Sequence, residues 1–119
     1  MDVNKFRKVI SERERILMEC FDEWTFGIEQ CWKQEIEILS ENVSDTISFL
    51  QDECTAEEYS WISEIIDDLI EKTQSRELIH MYKSLMVKFT EECKKYNISE
   101  SIEFAENMLE AEVADEQNS

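Results

Sequence analysis

The stretch Asp52–Glu71, DECTAEEYSWISEIIDDLIE, decides the fold. It opens on a capping box: the Thr55 hydroxyl can accept from the backbone N–H of Glu58, and the Glu58 carboxylate from that of Thr55. Beyond the cap, helical spacing sorts the side chains into two arcs. Tyr59, Ile62, Ile65, Ile66, Leu69 and Ile70 form a stripe wide enough to enter a core. Glu57, Glu64, Asp67, Asp68 and Glu71 lie opposite, and no basic residue of the stretch joins them. Trp61 falls on the acidic arc. A large amphipathic ring among carboxylates suits contact with a cationic partner. The expected element is one helix over roughly residues 56–73, holding out Glu57, Trp61, Glu64, Asp67, Asp68 and Glu71 as a partner-binding face.

Composition extends the helical reading to the whole chain. Among 119 residues there is one glycine and no proline, while helix formers abound and no alternating strand-like runs occur. That length supports one core without staples. On the N-terminal side, Val3, Phe6, Val9 and Ile10 share a face. Ser11 with Glu14 makes another capping box, where a helix either restarts or continues. The stripe Leu17, Phe21, Trp24, Ile28, Cys31/Trp32 and Leu39 then holds phase to about residue 40. Trp24 and Trp32 lie on that stripe and read as core. Phe26 and Glu35 are out of phase with it, which a break at Gly27 or an exposed Phe26 would explain.

Ser40 to Asn42 reads as a joint before Val43, Ile47 and Leu50. On the C-terminal side Thr73 to Ser75 is a turn. Ser75 caps a helix through about Tyr96, Asn97 takes the left-handed position that ends it, and Ser99 caps a last helix. The expectation is all-α: a compact single-domain bundle of about five helices over residues 1–113. The tail at residues 114–119, ADEQNS, has nothing to bury and is expected to be flexible.

The net charge of −17 is unevenly spread. Residues 16–71 hold sixteen acids against the single base Lys33, and residues 97–119 hold seven acids and no base; residues 1–15 and 72–96 are mildly basic. A field of this sign repels nucleic acid and anionic lipid, so neither is expected to bind directly, and it attracts basic proteins. Solubility explains many acidic surfaces, but it requires no such concentration in two helix-length segments. Cys20, Cys31, Cys54 and Cys93 form no CxxC pair, MDVNKFRKVI does not read as a signal peptide, and no apolar run approaches spanning length. These features point to the cytoplasm, with free thiols.

Chemistry-bearing patterns are sparse. Glu77-Leu-Ile-His80 has the spacing of paired metal ligands on a helix, but di-iron bundles need it twice and His80 is the only histidine. Asp67-Asp68-x-x-Glu71 loosely resembles the magnesium motif of isoprenoid synthases, without their length, second motif or companion bases. Glu64-x-x-Asp67 resembles half of the carboxylate site of all-helical nucleotide pyrophosphohydrolases of the MazG type. The upstream half is missing, the nearest match being Glu19-x-x-Asp22. No nucleophile is presented on a strained turn. The residues therefore point to no catalytic site, no metal, no cofactor and no enzyme.

Overall character carries one resemblance: about this length, glycine-poor, with helices such as EEYSWISEIIDDLIEK and the acidic end EAEVADEQNS. The chain resembles the small acidic all-helical immunity proteins of bacterial contact-dependent growth inhibition and related polymorphic toxin systems. It lacks the tyrosine-pair and proline signature of the colicin DNase immunity proteins. The resemblance implies a partner that is the toxic domain of a large secreted protein, often an RNase or DNase, neutralised by occlusion of its active site. An acidic surface competes for the Lys- and Arg-lined cleft of such a nuclease and speeds association. Two alternatives stand beside it: a helical adaptor or assembly subunit, and the magnesium-dependent pyrophosphohydrolase.

Overall fold

A computed structural model describes residues 1–19 and 26–109, with the backbone alone for Phe26. Within them the chain forms α1 (Val3–Glu19), α2 (Phe26–Glu41), α3 (Val43–Asp52), α4 (Ala56–Ile62), α5 (Ile66–Thr73), α6 (Arg76–Ser84), a 3₁₀ turn (Leu85–Val87), α7 (Thr90–Tyr96) and α8 (Ile98–Asn107). The all-α expectation holds, but with eight helices rather than about five. Trp24, Cys20, the Phe26 side chain and residues 114–119 lie outside the described residues.

The helix expected to run to about residue 40 is divided in two, and two further breaks have local causes. α1 and α2 pack side by side, which one helix running to residue 40 could not do. α1 itself passes Ser11 without restarting. The single helix expected over residues 56–73 is interrupted at Ser63–Ile65, where the N–H groups of Glu64 and Ile65 reach only to Trp61 and Ile62, three residues back. Ser60 and Ser63 donate their hydroxyls to the carbonyls of Glu57 and Ser60, competing with the helix for its own acceptors. The helix expected from Ser75 to Tyr96 breaks likewise after Ser84, whose hydroxyl donates to the Met81 carbonyl at 2.7 Å.

The two breaks face each other across the core. The Tyr59 hydroxyl donates to the Tyr82 carbonyl at 2.8 Å and the Tyr82 hydroxyl to the Tyr59 carbonyl at 2.7 Å. Their rings stack with centroids 4.2 Å apart, and both residues are fully buried. Each phenol thus adds a second donor to a carbonyl in the last turn of the opposite helix, beside the capping N–H of Ser63 or of Leu85. Phe89 packs against Tyr59 from beyond the 3₁₀ turn.

Several expected boundaries are met. Both arms of the Thr55–Glu58 capping box form. Asn42 caps α3 and Ser75 caps α6. Gln74 and Asn97 adopt left-handed backbone at φ 51° and 53°. Asn97 both ends α7 and starts α8, so Ser99 falls inside the first turn and is not the cap. α5 packs on α2 and α8, α3 on α6 and α4 on α7, around one core that includes Phe6, Ile28, Leu39, Phe49, Ile70 and Ile98. Among the described residues, no helix is long and apolar enough to cross a membrane.

Candidate functional site

The break at Ser63–Ile65 divides the expected acidic face into two surfaces. Asp67, Asp68 and Glu71 remain together on α5. Burial, followed by the charges of Asp67 and Glu71, pushes the Asp68 carboxyl above its ordinary range. Glu57 and Trp61 of α4, with Glu64 in the break itself, instead line an open cleft of about 930 Å³. Other walls come from Arg13 and Leu17 of α1, Glu92, Lys95 and Tyr96 of α7, and Ser101 of α8. Asp67, Asp68 and Glu71 do not line it.

Glu64 is committed within the fold. One guanidinium nitrogen of the buried Arg13 donates to its Oε2 at 2.7 Å, and the Trp32 indole N–H donates to its Oε1 at 3.1 Å. The Arg13 guanidinium lies 5.1 Å from the Trp61 ring and 6.0 Å from that of Trp32, within cation–π range. Trp61 is therefore half-buried rather than free, with its indole N–H sealed in without a hydrogen-bond partner among the described residues. Trp32 is partly buried against the core. The arc opposite the core carries no base of its own, but α1 brings one to it.

Glu35 completes this polar layer. It is fully buried, as its apolar phase in the sequence implies, and neither carboxylate oxygen has a hydrogen-bond partner among the described residues. Burial pushes its carboxyl up to about 8, the Glu64 charge adding to the rise and Arg13 opposing it. Glu35 is thus neutral in the folded protein at neutral pH and ionised in the unfolded chain. Stability from this group is complete below the ordinary carboxylate range, falls as pH rises toward about 8, and then levels off. Urea unfolding of Glu35→Gln should lose this component, the two proteins diverging by on the order of 3 kcal/mol between pH 5 and 8. Parallel pH profiles would show that Glu35 is ionised inside the fold.

Arg7 pairs with Glu58 at 2.7 Å. Burial raises the Glu58 carboxyl, yet the hydrogen bonds from Arg7 and Thr55 and the Arg7 charge leave it below its ordinary range. Glu57, Asp67, Asp68 and Glu71, by contrast, are in no ion pair among the described residues. Glu14 is held above its ordinary range chiefly by its hydrogen bond to Glu57, then by burial and the Glu57 charge, so two carboxyl groups stand side by side here.

No protein-family model, curated protein or solved structure matches this chain. Its reading rests on its own residues. Among those described, no three His, Cys, Asp or Glu side chains gather as a metal-binding group. Glu77 and His80 are both exposed on α6. Glu64 and Asp67, two carboxylates of the pyrophosphohydrolase-like spacing, are parted by the helix break. Cys31 and Cys54 are buried free thiols and Cys93 is half-buried; burial pushes Cys54 up to about 12, which leaves it unreactive near neutral pH.

Sequence reasoning missed Arg13, Glu92, Lys95 and Tyr96 as neighbours of Trp61. For Arg13 a signal existed: it stands four residues after Val9 and four before Leu17, on the apolar phase of α1. For the α7 residues there was none, because the break after Ser84 decides where α7 lies.

Proposed function

We propose that this chain is a cytoplasmic inhibitor of the immunity type, which binds a cationic toxin domain with nuclease activity and blocks its active site through an acidic helical surface. The observation that carries this reading is the distribution of ion pairs. Arg7 and Arg13 are taken by Glu58 and Glu64, whereas Glu57 and the α5 ridge of Asp67, Asp68 and Glu71 keep charges that no described base balances. Ionised carboxylates crowded on one face repel each other, and a basic partner relieves that repulsion on binding. Occlusion requires no catalytic group from the inhibitor, no metal and no cofactor. Of the expected contact residues, Glu57, Asp67, Asp68 and Glu71 are the ones left to meet a partner by charge. Trp61 contributes the rim of an aromatic wall. Glu64 acts indirectly, by holding Arg13 and Trp32 in place.

The test is capture by the tagged protein from lysate of its own cells, at low and then moderate salt. A single basic domain with nuclease activity, retained at moderate salt and inactive while bound, is the expected result. A mixed set of basic proteins that all wash off with salt would overturn the reading, because simple acidic surfaces do the same.

A further inference from the structure

The cleft beside Trp61 has features that an acidic surface alone does not require. Leu17 and Tyr96 are large apolar residues, yet 50 % and 51 % exposed, and both line it. Glu57 and Glu92 stand in the same cleft without an ion pair among the described residues. Lys95 is the one cation lining the cleft, among the described residues, that Glu64 does not hold. It lies over the Tyr96 ring, its ammonium 5.2 Å from the centroid.

We propose that this cleft receives an arginine side chain of the cationic partner, its guanidinium stacking on Tyr96 and pairing with Glu57 and Glu92. The proposal rests on the partner being basic, and adds the place and the kind of contact. Charge complementarity selects the occupant: beyond the internal Arg13–Glu64 pair, the two carboxylates Glu57 and Glu92 outnumber the single cation Lys95. Arginine fits better than lysine because its guanidinium is planar, weakly hydrated and able to stack while it donates to two carboxylates. The same chain already uses this chemistry internally, with Arg13 set against Trp61 and bonded to Glu64. Lys95 competes for the occupant's position in the free protein, so its loss should improve binding.

The probe is an end-capped peptide of alternating glycine and arginine, titrated into the full chain by NMR beside its citrulline counterpart. Glu57→Gln with Glu92→Gln should weaken the arginine peptide about 5-fold or more, and Tyr96→Ala about 3-fold. Lys95→Ala should tighten it, while Asp67→Asn with Asp68→Asn should change it less than 2-fold. All these side chains are outside the core, and circular dichroism verifies that each variant is folded. Reversed signs for the glutamate and lysine changes would mean an anionic occupant and overturn the proposal. Equal binding of the citrulline peptide would overturn it in favour of an apolar groove. The largest loss in the α5 variant would overturn it in favour of the ridge. If the arginine peptide fails to bind while a basic domain is still captured in a salt-dependent way, the cleft assignment falls and the inhibitor reading stands. If the peptide behaves as expected and no such domain is captured, the arginine site stands and the inhibitor reading falls.

Discussion

Glu64→Ala should destabilise the protein by about 3–5 kcal/mol, the cost of leaving a buried charge without its partner. Arg13 is 5 % exposed, and two of its guanidinium nitrogens, Nε and Nη1, already lack a hydrogen-bond partner among the described residues. Removing Glu64 takes the remaining bond and also strands the Trp32 indole N–H. Arg13→Ala should cost less, because the Glu64 side chain is 28 % exposed and can hydrate when it loses its cation. The double change Arg13→Met with Glu64→Gln should be milder than the sum of its parts: it removes both charges, fills the space against the two indoles and keeps an acceptor for Trp32. Chemical denaturation of the four proteins gives the order directly. Additive losses would mean that the pair is solvated and the layer unimportant. Glu64 is therefore a poor probe of partner contact, since its loss acts first on the fold.

The second large effect is expected at the tyrosine clasp. Tyr59→Ala or Tyr82→Ala should each cost about 3–5 kcal/mol, as truncation of a large buried aromatic does. Either change removes a ring stacked at 4.2 Å and a hydroxyl that serves the end of the opposite helix. Phenylalanine at either position keeps the ring and should cost about 1 kcal/mol for the lost hydrogen bond. Set against the roughly 5–15 kcal/mol that holds a domain of this size together, an alanine at either tyrosine approaches global unfolding. Thermal melts separate the cases: a shift of several degrees for phenylalanine, and a far larger one for alanine. An alanine variant that melts within a few degrees of the parent would show that helices α4 and α6 are held by something other than these rings.

The helical class, the Thr55–Glu58 box, the Asn42 and Ser75 caps and the left-handed Asn97 were legible because each depends on residues a few positions apart. The helix breaks were less legible. Periodicity runs unbroken through Ser63 and Ser84, and what stops the helix at each place is a seryl hydroxyl bonding a nearby carbonyl together with a phenol arriving from the other break. Only folding brings that second contribution into place. The acidic arc was read correctly as lying opposite the core stripe of its own helix. Its division into a cleft wall and a separate ridge could not be seen without the break.

Glu35 and Arg13 carried the clearest unused signal. Each is a charged residue on an apolar phase, in successive helices that pack together, and the fold sets both in one buried layer with Glu64. An opposite-charge pair at apolar positions of neighbouring helices is a pattern that sequence reading can seek, because a buried ion is tolerated only beside a counter-charge or in its neutral form. Trp61 followed from the same layer. Its place on the acidic arc is explained by the arginine beneath it as well as by any partner beyond it.

The most direct measurement is the affinity of the purified protein for the basic domain it captures, titrated at 50 and 300 mM salt with nuclease activity read at each point. The expected result is full inhibition at one equivalent, with affinity falling roughly tenfold or more between the two salt concentrations. Affinity indifferent to salt, or a bound domain that keeps its activity, would contradict inhibition through an acidic face.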